Sequence, residues 1–174
     1  MGEHILLIGM MGAGKTTIGE LLAAKLGRTY IDNDLQVEHI AGRTVAEIWR
    51  DEGEEAFRRH ESAALRAAIQ SPVPSVIAVA GGAVLDPANR THIDSAGTVV
   101  WLRAEVETLA RHVRNDDDDH RPLLSGPIGL EDVLQRLLDE RRPLYTDLAD
   151  VVVDIDGLTL EEAMERVMDA LPQP

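Results

Sequence analysis

The chain has 174 residues, 44 % of them hydrophobic, which suits one domain with a sizeable core. Its formal net charge of −14 argues against a nucleic-acid partner, because a phosphate backbone asks for a basic face. The absence of cysteine rules out disulfides, thiolate metal sites and cysteine nucleophiles, and fits a reducing, cytoplasmic setting.

The opening MGEHILLIGMMGAGK lacks a basic leader, and its apolar run breaks at glycines, so no signal peptide is expected there. No stretch approaches the roughly 20 apolar residues of a membrane span. Residues 4–8 read as a short buried strand ended by Gly9. A glycine loop follows, then an amphipathic helix over 18–26 closed by Gly27. A second strand spans 29–31 and ends at Asp32. Residues 37–41 and 45–51 read as two short helices split by Gly42, and 54–70 as a longer one that Pro72 and Pro74 bar from continuing. Strands are expected at 75–80 and 98–102, and a helix at 105–113. Residues 115–120 form a polar, acidic break. A helix over 130–141, a further short helix starting at Pro143, a strand at 151–155 and a helix at 160–171 complete the chain. Near-continuous apolar strands alternating with helices indicate an α/β fold with a parallel sheet covered on both faces. One domain over residues 1–174 is expected, with chemistry beyond the carboxyl ends of the strands at Gly9, Asp32 and Gly81.

Gly9-Met10-Met11-Gly12-Ala13-Gly14-Lys15-Thr16, with Thr17 next, matches G-x-x-x-x-G-K-[ST] between a strand and a helix. Glycines let backbone N–H groups turn inward around phosphate oxygens; Gly12, Ala13, Gly14, Thr16 and Thr17 would bind ATP, and Lys15 would reach its terminal phosphates. The Thr16 hydroxyl and Asp32 are the candidate ligands of a Mg²⁺ ion. Such a loop fixes nucleotide binding but not the acceptor.

The acceptor side is read from five features. Asp34 stands two residues after Asp32, either to contact an acceptor hydroxyl and take its proton or to cap the next helix. Arg58 and Glu61 share a helix face, as a preorganised fork for a substrate carboxylate or as a surface ion pair. Gly81-Gly82 permit close approach of a ligand, or form a tight turn. The segment NDDDDHRPLL, with Arg121, reads as a phosphoryl-transfer lid or a solvated loop. Arg141-Arg142 lie at a helix end, where they could serve a ligand or the helix carbonyls. The six histidines show no metal-ligand spacing.

In order and spacing, GMMGAGKTT, DND, AGRTVAEIWRDEGEEAFRRHE, GGAVL, RPLL and RRPLY make the chain resemble the shikimate kinases over nearly its whole length. That resemblance implies a five-stranded parallel sheet flanked by helices, of the P-loop, nucleoside monophosphate kinase-like type, with a lid at about 114–124. It implies transfer of the ATP γ-phosphate to the 3-hydroxyl of shikimate, with Lys15, Asp34 and Arg121 catalytic. Arg58 and Arg141 would grip the shikimate carboxylate, Gly81 and Gly82 would line the acceptor pocket, and Arg114 would lie beside adenine. Val45, Trp49 and Phe57 would supply apolar wall, and Glu61 would orient Arg58. A monomer with no membrane partner is expected. Related readings are a kinase of another anionic hydroxylated metabolite, such as gluconate or a cyclitol, or an inactive nucleotide-binding regulator. The family usually carries three glycines where this chain has Ala80-Gly81-Gly82, and the methyl group of Ala80 is an obstacle if that position needs positive φ or close contact with the ligand.

Overall fold

A computed structural model describes residues 3–115 and 129–172. Its strands are β1 (His4–Ile8), β2 (Thr29–Asp32), β3 (Ser75–Ala78), β4 (Gly97–Arg103) and β5 (Val151–Asp154). They form one sheet in the order β2-β3-β1-β4-β5, every neighbouring pair parallel. All of β1 is buried, with Leu6 opposite Ile77 of β3 and Val99 of β4. A strand in that position has no polar face, which is why HILLI shows no alternation. The helices are α1 (Lys15–Leu26), α2 (Asn33–Ala41), α3 (Val45–Ile69), α4 (Pro87–Asp94), α5 (Val106–Arg114), α6 (Leu130–Leu148) and α7 (Leu160–Ala170). α1 packs on α7, whereas α4 packs on α3 and α6, so aliphatic side chains such as Leu22, Leu65, Leu134 and Val167 close the core around the sheet.

Four departures from the expected elements have local causes. α1 starts at Lys15, because Gly14 takes the left-handed conformation (φ 78°, ψ 18°) and turns the loop directly into the helix. α2 starts at Asn33, because the Asp32 carboxylate accepts from the N–H groups of Asp34 and Leu35. The helices expected at 45–51 and 54–70 are one element kinked at Gly53, whose φ of 83° and ψ of 175° interrupt the helix. α4 is an unexpected helix, capped by Asp86 with Pro87 in its first turn and only Asn89 and Ile93 buried.

Pro143 does not start a new helix but lies inside α6. Its ring sits on the exposed face, while Leu134, Leu138, Arg141, Tyr145 and Leu148 form one buried stripe running past it. Burial along that stripe offsets the backbone hydrogen bond a proline removes. Among the described residues only glycines adopt positive φ, so Ala80 occupies the first of the three positions after β3 without backbone strain.

Candidate active site

The carboxyl ends of β1, β2 and β3 open into a cleft of 960 Å³. On its nucleotide side, Lys15 Nζ donates to the carbonyls of Gly9 at 2.8 Å and Met10 at 3.0 Å, which holds the ammonium across the mouth of the loop. Thr16 Oγ1 donates to Asp32 Oδ2 at 3.1 Å, and the Tyr30 hydroxyl donates to the same oxygen at 3.0 Å. The other carboxylate oxygen of Asp32 caps α2, so one side chain joins the start of α1 to the start of α2. Burial, then the charge of Asp32, holds the Tyr30 phenol above its usual range, so it stays a donor. Thr16 and Asp32 place a hydroxyl and a carboxylate oxygen side by side, a donor set that suits a hard divalent cation. Among the described residues no group of three His, Cys, Asp or Glu side chains could hold a metal ion.

Asp34 follows on the first turn of α2 and faces the cleft. Water reaches it through the cleft mouth, but protein walls surround it closely. Although Asp34 is exposed to the cleft, crowding by the surrounding protein and then the Asp32 charge push its carboxyl up to about 6, while Lys15 and Arg58 pull it down. Asp34 thus answers to the loop ammonium on one side and to the α3 guanidinium on the other.

The guanidinium is held by its own helix. Arg58 Nη1 donates to both oxygens of Glu61, at 2.9 and 3.0 Å, and Nη2 to Glu54 at 3.3 Å. Trp49 and Phe57 lie against it, 5.9 and 5.3 Å from its central carbon to the ring centres. Glu61 is only 2 % exposed, and burial raises its carboxyl above the ordinary range against the pull of Arg58 and Arg141. The pair is therefore no surface ion pair, and its guanidinium is fixed before any ligand arrives. Gly82 leaves the room it needs: a Cβ there would lie 2.2 Å from Arg58 Nη1.

Arg141, on the inner stripe of α6, is 2 % exposed and lines the same cleft, and its Nε has no hydrogen-bond partner. A buried cationic donor without an acceptor costs stability. One turn on, the fully buried Tyr145 hydroxyl donates to the Gly81 carbonyl at 2.8 Å and holds the glycine turn against α6.

Of the residues expected from sequence, Gly12, Gly14, Lys15, Thr16, Thr17, Asp32, Asp34, Arg58, Gly81, Gly82 and Arg141 line this one cleft, and Ala13, within the loop, is buried and does not line it. Arg114 ends α5 in an ion pair with Glu131 of α6, and the neighbouring cleft wall is made by His112 and Asn115 instead. Arg121 and most of the expected lid lie outside the described residues. Sequence reasoning left out His112, which carries no motif, and Tyr145, which was visible only as part of RRPLY.

A profile of the shikimate kinase family matches residues 11–172. A shikimate kinase of Symbiobacterium thermophilum is 44 % identical over 170 residues, which is 98 % of this chain and 97 % of that one. Among solved structures, a shikimate kinase from Acinetobacter baumannii in complex with shikimate superposes with a TM-score of 0.90 at 34 % identity, over 97 % of this chain and 92 % of that one. The enzyme from Bacteroides thetaiotaomicron gives 0.87 at 32 % identity, over 96 % and 97 %.

Proposed function

The chain belongs to the shikimate kinase family, and from that premise we propose that it transfers the γ-phosphate of ATP to the 3-hydroxyl of shikimate. One observation carries the residue roles: the loop groups Lys15 and Thr16 share a single cleft with Asp34, Arg58 and Arg141. Phosphates would lie on the N–H groups of Gly12, Gly14 and Thr17 at the positive start of α1, with the Lys15 ammonium at the terminal phosphate. Mg²⁺ entering with ATP would meet Thr16 and Asp32, and would neutralise charge on the phosphates.

The substrate carboxylate would be held by the guanidinium groups of Arg58 and Arg141, which line the same cleft. With that end fixed, the 3-hydroxyl meets Asp34. The hydroxyl oxygen forms a bond to the γ-phosphorus as the bond to the β–γ bridging oxygen breaks, ADP leaves, and the hydroxyl proton passes to Asp34. A carboxyl pushed up to about 6 is ionised at neutral pH yet basic enough to take that proton. Most of the rate would come from position and charge neutralisation.

Arg121 is assigned to the transferred phosphoryl group and Arg114 to the nucleotide, both as extensions of the family resemblance. The protein is read as a cytoplasmic monomer of one domain, and among the described residues no helix is long and apolar enough to cross a membrane. Purified protein with ATP, Mg²⁺ and shikimate, followed by phosphorus NMR, tests the reaction. A new phosphate monoester should grow in step with ADP, and gluconate in place of shikimate should give none. ADP release without an ester, or an ester formed on gluconate alone, would overturn the assignment.

A further inference from the structure

The described structure gives His112 a partner that no sequence motif suggests. Its Nδ1 lies 2.8 Å from the carbonyl oxygen of Gly12, a hundred residues away and inside the glycine loop. A carbonyl only accepts, so Nδ1 carries the hydrogen. α5 lies hard against the loop at this point: a Cβ on Gly12 would sit 2.7 Å from the Leu109 carbonyl and 3.0 Å from Val113 Cγ2. Gly12 itself has φ 79°, a left-handed conformation that leaves its following peptide plane easy to flip. The other end of that plane is pinned as well, because Ala13 N–H donates to the Met10 carbonyl at 3.2 Å. The Met10 carbonyl also accepts from Lys15 Nζ at 3.0 Å.

We propose that His112 is a positioning residue for the nucleotide, whose Nδ1–H locks the Gly12–Ala13 peptide and so holds the loop in its phosphate-binding form. The proposal rests on the nucleotide-binding reading of that loop. A flip exchanges the two ends of the plane: the Gly12 carbonyl would turn from α5 toward the Met10 carbonyl, and Ala13 N–H would leave the oxygen that anchors Lys15. Glycine makes the flip cheap, so the bond from α5 decides which form is populated, and nucleotide affinity scales with the competent fraction.

ADP with Mg²⁺, titrated calorimetrically, is the probe. His112→Leu should weaken ADP binding about fivefold to tenfold, the share of one hydrogen bond in the loop equilibrium. His112→Asn, whose amide nitrogen falls where Nδ1 was, should stay within about twofold of wild type, while His112→Gln should resemble the leucine variant. The Michaelis constant for shikimate at saturating ATP should move less than about twofold in all three, since the acceptor contacts are untouched. Nitrogen NMR of the wild-type protein should show neutral His112 as the Nδ1–H tautomer, the minor one in water. A folded leucine variant with wild-type ADP affinity, equal behaviour of Asn and Gln, or an Nε2–H tautomer would overturn the role of His112. Should the leucine variant not fold, the Asn–Gln contrast and the tautomer still decide. Failure of the wild-type protein to bind ADP would instead overturn the nucleotide reading of the loop.

Discussion

Gly82→Ala separates acceptor binding from everything else in the cleft. Gly82 sits at φ −91° and ψ −13°, so alanine meets no backbone strain there. Its methyl group would lie 2.2 Å from Arg58 Nη1, 2.7 Å from Cζ and 2.8 Å from Nη2. The guanidinium would have to retreat by about 1.5 Å to regain ordinary contact. That retreat breaks the bonds at 2.9 and 3.0 Å to Glu61, which fix the fork. Glu61, only 2 % exposed, is left short of its charged partner, so stability should fall by about 1–3 kcal/mol while the fold persists. A misplaced charge-assisted bond to the substrate carboxylate costs about 1.5–3 kcal/mol, or roughly tenfold to a hundredfold in the Michaelis constant for shikimate. ADP affinity should not change. The assay is coupled ADP release with each substrate titrated at saturation of the other, beside ADP calorimetry and thermal unfolding. A Gly82→Ala enzyme with an unchanged constant for shikimate would refute the placement of the substrate carboxylate at Arg58.

Asp34→Asn should lower kcat by about a hundredfold to ten-thousandfold while ADP still binds, as stopped-flow phosphate transfer and calorimetry would show. Activity should fall as pH drops through about 6, because Asp34 then gains the proton it must be free to accept, and Arg58→Gln should move that limb upward by removing a charge that lowers the Asp34 pKa. A raised folded-state pKa means that the stability contribution of Asp34 is complete at low pH and lost as pH rises through about 6, so Asp34→Asn should raise the unfolding temperature at pH 8 and leave it nearly unchanged at pH 4. Tyr145→Phe removes the donor to the Gly81 carbonyl at 2.8 Å and should cost about 1–3 kcal/mol in chemical denaturation.

Apolar runs and glycines made β1, the loop and α1 readable, because a central parallel strand and a phosphate loop each require residues that few other contexts use. α4 was missed because only two of its residues are buried, leaving no apolar stripe; the Asp86-Pro87 pair was the available signal. Pro143 misled for the opposite reason: its local rule was overridden by a stripe whose partners lie elsewhere in the chain. At the site, spacing could pair Arg58 with Glu61 but could not tell that Glu61 is buried, which is what separates a fixed fork from a solvated ion pair. Nor could it tell that Asp32, rather than Asp34, caps α2 and leaves Asp34 to face the cleft. His112 and Arg114 stand two apart on one helix, and only the way α5 lies on the loop turns the first toward Gly12 and the second toward Glu131.

The most direct measurement is a crystal structure of the protein with shikimate, ADP and Mg²⁺. The carboxylate should bridge the guanidinium groups of Arg58 and Arg141, with the 3-hydroxyl on Asp34 and the ADP phosphates on the glycine loop. Shikimate bound with its carboxylate away from both arginines, or with no hydroxyl at Asp34, would contradict the account.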